Sequence, residues 1–470
     1  MFKVKKRDCH RYCLILMFFS AVLLTACNNH KKSEKIINQK EMQTRKNAAD
    51  ALLWSMQLIA QKEKCFDDFF NSLPLEEKIC QLFIENLEGK NIFAPVEKLR
   101  DISDNPQIPE DKFIIPGGYL FFSFNIADRP EEIMAFTDSI FDYSKDNAQL
   151  PPFLAIDQEG GYVNRLKKIN GPLPSAQKVA EKSSVQNAER LYSLQAEQMS
   201  LLGFQMNLAP LAEICTPDNQ DFLTERSFGD ADKVYEYGKA CINAYESNGI
   251  SAVMKHFPGN TNTDPHTGLP EIKLAENELF EMLKPFEELI SQAPAGILMS
   301  HARTSAIDSE KPSCLSQIWV TEILRKKINY DGLIFSDDIF MAALAKNGYD
   351  SKKAVIMAID AGIDCIMVSE KRILEPARYL YEKAKKEPEF EEKINSAARR
   401  ILIYKLKKGQ LKIEDDFSIQ TSSEGSVSLP FGFKITSEAF YNRHENKEKR
   451  LSDFNAAKEE NQKLYESFYK

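Results

Sequence analysis

Within this 470-residue chain, the residues best suited to moving a proton lie in Lys255-His256-Phe257-Pro258-Gly259-Asn260-Thr261-Asn262-Thr263-Asp264-Pro265-His266, which holds two of its six histidines. The preceding Ile250-Ser251-Ala252-Val253-Met254 reads as a short buried strand. Pro258-Gly259, the Asn and Thr run and Asp264-Pro265 are turn formers. Lys255 and His256 therefore stand where a strand ends, and Asp264 and His266 on the loop beyond it. Residues two apart in an extended loop project the same way, so the Asp264 carboxylate is placed to hydrogen-bond the His266 ring. A carboxylate on one ring nitrogen fixes the tautomer and raises the basicity of the other. The expected result is a proton-transfer group on a mobile arm.

Other polar groups recur where apolar runs end. Asp157-Gln158-Glu159-Gly160-Gly161 and, further on, Arg165 follow Phe153-Leu154-Ala155-Ile156. Thr224-Glu225-Arg226 lies on the long loop after Asn207-Leu208-Ala209-Pro210. His301-Ala302-Arg303 follows Ile297-Leu298-Met299, and Ser336-Asp337-Asp338 follows Leu333-Ile334-Phe335. Each of these groups has a plainer structural reading. Asp338 and Ser336 could cap a helix beginning near Phe340, and Glu159 could brace the Gly160-Gly161 turn.

Lys-His-Phe-Pro-Gly followed by Asp-x-His resembles the signature of family 3 glycoside hydrolases, in their β-N-acetylglucosaminidase branch. The resemblance spans residues 65–410 and rests on five motifs in the family's order. It implies a retaining exo-acting enzyme that removes terminal β-linked N-acetylglucosamine. By the same resemblance, Asp337 is the nucleophile, and Asp264 and His266 form the acid/base pair that replaces the usual carboxylic acid. Asp157, Arg165, Arg226, Lys255 and His256 match residues that hold the sugar. The chain departs from the family at Asn260-Thr261, where His-Gly is usual, at Pro265 for Ser, in a shortened loop between Gly259 and Asp264, and at Glu213 for Asp.

The chemistry of the residues agrees with this. A retaining glycosidase needs an anionic nucleophile and a proton donor beside the leaving oxygen. Cationic Arg165, Arg226 and Lys255 are expected to keep Asp337 ionised. Two alternatives remain: a phosphorylase on the same scaffold, since a neutral His repels incoming phosphate less than a carboxylate does, and a non-catalytic surface lipoprotein that binds glycan. No metal-ligand set or nucleotide-binding Gly loop is present, so no cofactor or metal is expected.

The elements that must position these groups are short apolar runs separated by helical patterns. The runs are 118–122, 153–156, 205–209, 251–254, 296–300, 332–336 and 365–368, with helical periodicity at Ala188 to Leu202, Asp232 to Glu246 and Glu276 to Leu289. Strands buried on both faces and alternating with helices form parallel sheets. Their number favours a TIM-type (β/α)8 barrel in one domain, 64–411, over a doubly wound sheet. Pro74 to Phe83 reads as an opening amphipathic helix, and Phe390 to Leu411 as the helix that closes the barrel.

The ends carry other information. Lys3, Lys5, Lys6, Arg7 and Arg11, offset by Asp8, precede an apolar run from Tyr12 to Leu24. That run suits a signal peptide over 1–26, and Leu24-Thr25-Ala26-Cys27 resembles the bacterial lipoprotein cleavage box. Lipidation at Cys27 would anchor an exported protein to a membrane of the bacterial cell envelope, with 27–63 as a tether. Loss of a segment carrying +4 from a chain of net charge −8 leaves a strongly acidic protein, which argues against nucleic acid as a partner. Of the six cysteines from Cys65 onward, none lies in a Cys-x-x-Cys pair, and Cys80 and Cys365 sit in apolar runs. Residues 412–470 read as a charged tail, helical or disordered.

Overall fold

Eight short parallel strands carry the polar groups just described: β1 (Phe83–Asn86), β2 (Gly118–Phe121), β3 (Phe153–Ile156), β4 (Met206–Asn207), β5 (Ser251–Phe257), β6 (Gly296–Met299), β7 (Leu333–Phe335) and β8 (Ile366–Val368). They belong to a computed structural model that describes residues 61–413, 419–420 and 446–468. Cys27, the signal and tether segments before residue 61, and Phe431 and Phe433 of the tail lie outside the described residues. The chain divides into two compact units, 1–64 and 65–470, and everything that follows concerns the second.

Consecutive strands from β1 to β7 are neighbours, and β1 also pairs with β8. A parallel bridge between Phe335 and Cys365 joins β7 to β8. There the Asp364 and Cys365 amides donate to the Ile334 carbonyl, and the Ser336 amide donates to that of Cys365. The sheet thus returns on itself as a (β/α)8-type barrel. Apart from His256, every residue of these strands is buried, because side chains fill the barrel and helices cover its outer face.

The covering helices are α1 (Leu75–Gln81), α2 (Pro130–Asp146), α3 (Val185–Leu202), α4 (Ala231–Ser247), α5 (Glu276–Ile290), α6 (Ser351–Ala361), α7 (Leu374–Ala384) and α8 (Pro388–Lys407). Their starts are written in the sequence. Ser184, Asp230 and Asp350 cap α3, α4 and α6 by accepting the amides of Asn187, Lys233 and Lys353, which satisfies a donor that has no partner within the helix. Between β6 and β7 the helix Ile318–Lys327 is wound wider than an α-helix, with i→i+5 character.

One expectation is corrected here. Pro74 to Phe83 is not one helix: α1 stops at Gln81 and β1 starts at Phe83. The run Ile79-Cys80-Gln81-Leu82-Phe83-Ile84 is apolar enough for either state, and pairing with β2 and β8 decides it. The crossover from β1 to β2 holds no long helix, only a 3-10 turn at Leu99–Ile102.

The barrel floor is packed by large and small residues on facing positions. Phe153 and Phe335 meet edge to face, their centroids 6.4 Å apart. A Cβ on Gly118 would come 2.2 Å from the Phe153 ring, and one on Gly296 2.6 Å from that of Phe335. Only glycine leaves room for those rings.

A last helix, α9 (Lys447–Ser467), packs on α3. Its buried Arg450, Phe454, Ala457 and Asn461 recur every three or four residues and so share one face. Arg450 Nη1 donates to both oxygens of Asp138 at 2.9 and 3.0 Å. Fully burying Phe454 contributes on the order of 2 kcal/mol. A helix is among the expectations for this charged tail, and its docking on α3 is not.

Candidate active site

A cavity of about 670 Å³ opens at the C-terminal ends of the strands. Asp157, Arg165, Arg226, Lys255, His256, Asp264, His266 and Asp337 all line it, although 180 positions separate the first from the last. Phe122, Tyr162 and Phe222 complete its apolar wall.

Asp157 directly follows β3. The chain then forms a small hairpin, Gln158–Gly160 against Val163–Asn164. Gly160 and Gly161 have φ of 108° and 56°, which L side chains rarely adopt. The buried Gln158 amide donates to Asn207 Oδ1 and its carbonyl accepts from Asn207 Nδ2, both at 2.9 Å, which ties the hairpin to β4. Alternation along the extended chain sends Gln158 one way and Asp157 and Glu159 the other. Lys255 Nζ reaches both carboxylates, pairing with Asp157 and, at 2.6 Å, with Glu159. Arg226 grips Glu159 with two parallel bonds of 2.8 and 2.9 Å, and Arg165 reaches Asp157 at 3.2 Å. Burial opposes charge on both members of the Glu159–Arg226 pair. The charges of Lys255 and Arg226 nevertheless hold the Glu159 carboxyl well below the usual carboxylate range, and Glu159 in turn holds the proton on Arg226.

Lys255 and His256 are adjacent in β5, and in a regular strand they would face opposite ways. The pairing with β6 slips here: Lys255 lies opposite Leu298, and Phe257 opposite Met299. Such a bulge places two residues opposite one and re-aims a side chain, so both line the cavity. His256 Nδ1 lies 2.7 Å from Glu213 Oε1. With an ionised carboxylate as partner, that nitrogen is the donor. Glu213 is buried and also accepts the amides of His256 and Asn260 and the side-chain Nδ2 of Asn260.

The Asp264–His266 contact expected from the spacing is present. Asp264 Oδ1 accepts His266 Nδ1 at 2.7 Å and the His266 amide at 2.9 Å. Burial pushes the Asp264 carboxyl up, but these two bonds and the charge of the ring bring it below its ordinary value. His266 is well exposed, with 72 % of its side chain accessible. The Nδ1–H bond to Asp264 leaves Nε2 as the nitrogen that can exchange a proton with a ligand.

Asp337 stands two residues beyond β7. Ser336 stitches this end of the barrel, its Oγ accepting the Met367 amide at 3.0 Å. Burial pushes the Asp337 carboxyl up. The charges of His301 and His256, the Asp338 amide and the charge of Lys255, in that order, outweigh burial and hold it below the usual range. Of the three cations expected to do this, only Lys255 does: the two arginines are committed to Asp157 and Glu159, and His301 and His256 are the larger influences.

Asp338 does not cap a helix. Its Oδ1 accepts the amides of Phe340 and Ser369, each at 3.0 Å, and so latches the β7 end to the β8 end. Burial raises its carboxyl, against those hydrogen bonds. His301 is fully buried, with Nε2 3.0 Å from the Asp338 carbonyl and Nδ1 3.2 Å from Cys314 Sγ.

Glu159, Glu213 and His301 are the functional residues that the motifs left unassigned. Each had a signal: Glu159 two residues beyond Asp157 in an extended segment, His301 at the end of an apolar run, and Glu213 at a position where the family carries Asp. Among the described residues, no group of three or more His, Cys, Asp or Glu is arranged to hold a metal. Cys65, Cys80, Cys215, Cys241, Cys314 and Cys365 are free thiols.

A barrel with carboxylates and a His–Asp pair converging at the C-terminal ends of its strands has the groups that glycoside hydrolysis needs. Residues 75–403 match the glycosyl hydrolase family 3 N-terminal domain, and the chain belongs to that family. It is 32 % identical over 259 residues to a protein of Methylococcus capsulatus named beta-hexosaminidase, covering 54 % of this chain and 75 % of that one. It is 28 % identical over 274 residues to beta-hexosaminidase A of Pseudoalteromonas piscicida, covering 54 % of this chain but only 45 % of the relative's length. Among solved structures, a family 3 beta-N-acetylglucosaminidase from Paenibacillus sp. aligns over 81 % of this chain and 69 % of its own, with a TM-score of 0.64. At 24 % identity, that likeness is one of fold.

Proposed function

We propose that the chain is a retaining exo-β-N-acetylglucosaminidase acting on carbohydrate with a terminal β-linked N-acetylglucosamine. The observation that carries this reading is the single cavity that Asp337 and the Asp264–His266 pair share with a dense set of sugar-binding groups. Family membership and the names of the two relatives support the choice of sugar. Asp337 attacks the anomeric carbon while His266 Nε2–H protonates the departing oxygen. Water then cleaves the glycosyl ester as His266 takes back a proton, so the product keeps the β configuration. Asp264 orients the ring and stabilises its charged form. Asp157, Arg165, Arg226, Lys255 and His256 present donors and acceptors to the hydroxyl and acetamido groups.

Phosphate as the acceptor would make the protein a phosphorylase. Arg165, Arg226 and Lys255 are each already paired with a carboxylate, which weakens the positive field an incoming anion would meet. Sugar 1-phosphate formed in phosphate buffer would establish that reading instead. The proposed setting is the bacterial cell envelope, with a lipid anchor on Cys27.

The test of the mechanism is how the loss at His266 depends on the leaving group. A sugar hydroxyl needs a proton as the bond breaks, whereas a nitrophenolate hardly does. General acid catalysis contributes about 10²- to 10⁴-fold. His266→Ala is expected to lose a factor of that order in kcat/KM on an N-acetylglucosamine disaccharide and far less on the nitrophenyl glycoside. Equal losses on both substrates in a folded variant would remove the acid/base assignment.

A further inference from the structure

The arm that carries the acid/base pair leaves β5 after Phe257 and makes two sets of tertiary contacts before it reaches Asp264. At the first, the Asn260 amide and Nδ2 donate to buried Glu213 at 2.7 and 3.1 Å. At the second, Asn262 uses its amide and both ends of its side chain. The amide donates to the Asp218 carbonyl at 2.6 Å. Nδ2 donates to the Pro217 carbonyl, and Oδ1 accepts the Asp221 amide, each at 2.9 Å.

Beyond this point the arm is held by packing, with Pro265 buried and Leu269 against the core, and no longer by hydrogen bonds to the body. Among the described residues, the hydrogen bonds of 263–268 all close within the arm, on Thr261, Asp264 and His266. The next bond to the body is from the Arg303 amide to the Pro270 carbonyl. Asn262 therefore makes the last hydrogen bonds to the body before the catalytic pair. It is exposed, so neither burial nor packing accounts for three bonds converging on it. The segment it grips runs on through Phe222, on the cavity wall, to Arg226, which holds Glu159.

We propose that Asn262 is the positioning residue of the acid/base arm, joining that arm to the Arg226-bearing segment so that the proton donor is held in register with the bound sugar. This rests on the assignment of His266 as the general acid. The two side-chain bonds are what Asn262→Ala removes. Freed of them, the arm samples more positions, and His266 Nε2 spends less time beside the leaving oxygen. Because misplacement by about 1 Å costs up to about 100-fold in rate, a loss of about tenfold or more is expected where proton donation limits the reaction.

The test measures kcat/KM for Asn262→Ala and His266→Ala on an N-acetylglucosamine disaccharide and on its nitrophenyl glycoside, together with inhibition by free N-acetylglucosamine and thermal melts. Support consists of a loss of about tenfold or more on the disaccharide, a clearly smaller loss on the nitrophenyl substrate, and unchanged inhibition and melting. A loss equal on both substrates, or no loss, while His266→Ala still discriminates between them, overturns the role of Asn262 and leaves the acid assignment standing. If His266→Ala itself does not discriminate, the acid assignment fails, and this inference fails with it.

Discussion

His301 influences the chemistry from outside the cavity. Its ring is fully buried against Cys314 and the Asp338 carbonyl, yet its charge is the largest influence opposing burial at Asp337. As the proposed nucleophile, Asp337 must be ionised to attack. Its carboxyl lies below the usual value, so activity is kept above that lowered pKa and is lost as pH falls through it. In His301→Gln, burial meets less opposition and the carboxyl titrates at higher pH. The acid limb of kcat/KM on the nitrophenyl glycoside should therefore move upward. An unmoved limb would assign the lowering to His256 and Lys255 instead. Glu159 and Glu213 are of the same kind: buried carboxylates behind the cavity wall whose task is to aim Lys255, Arg226 and His256.

At the level of elements, the site depends on small irregularities in otherwise regular strands. The bulge at His256 turns two adjacent residues toward one cavity. The glycine that opens β6 has a comparable effect at the floor. Gly296→Ala would put a methyl group 2.6 Å from the Phe335 ring, and Phe335 is the last residue of β7 before Ser336-Asp337. Overpacking of this kind costs about 1–3 kcal/mol. The variant should melt at a lower temperature and lose more in kcat than in KM, because a shift of β7 moves the proposed nucleophile rather than the groups proposed to bind the sugar. Full kcat with wild-type stability would mean that the floor yields without moving β7.

For the molecule as a whole, the barrel is closed at its lower end by a buried charge. Lys405 of α8 is fully buried, donating to Gln81 Oε1 and the Pro151 carbonyl at 2.6 and 2.7 Å. Burial pushes its pKa down from 10.5 to about 7. Between those values the unfolded chain binds more protons than the folded one, so this group makes stability rise with pH from about 7 to about 10.5. Lys405→Met removes the dependence. The stability of wild type minus that of the variant should climb by up to about 1.4 kcal/mol per pH unit above neutrality, read from urea melts. Parallel pH curves would refute it. The lipid-anchor proposal also belongs to this level. Cys27→Ser should abolish lipid labelling and block maturation, and an unchanged mature mass in the membrane fraction would end that proposal.

Local pattern determined much of this protein. Strands that alternate with helices and are apolar on both faces specify a parallel α/β fold, and their number favours a closed barrel over a doubly wound sheet. Polar groups at the strand ends then have one shared destination, the C-terminal mouth. Asp264 and His266, two residues apart, pair through short-range geometry that spacing alone predicts. Three features lay beyond that reach. The state of Phe83–Asn86 was decided by its pairing with β2 and β8, since the same residues suit a helix. The docking of α9 depends on Arg450 meeting Asp138 far away in the chain. The main charge partners of Asp337 proved to be histidines, with Lys255 behind them, because Arg165 and Arg226 were claimed by carboxylates of their own. Each is a competition between partners distant in sequence, and only the folded chain brings the competitors together and sets the distances that decide which contact wins.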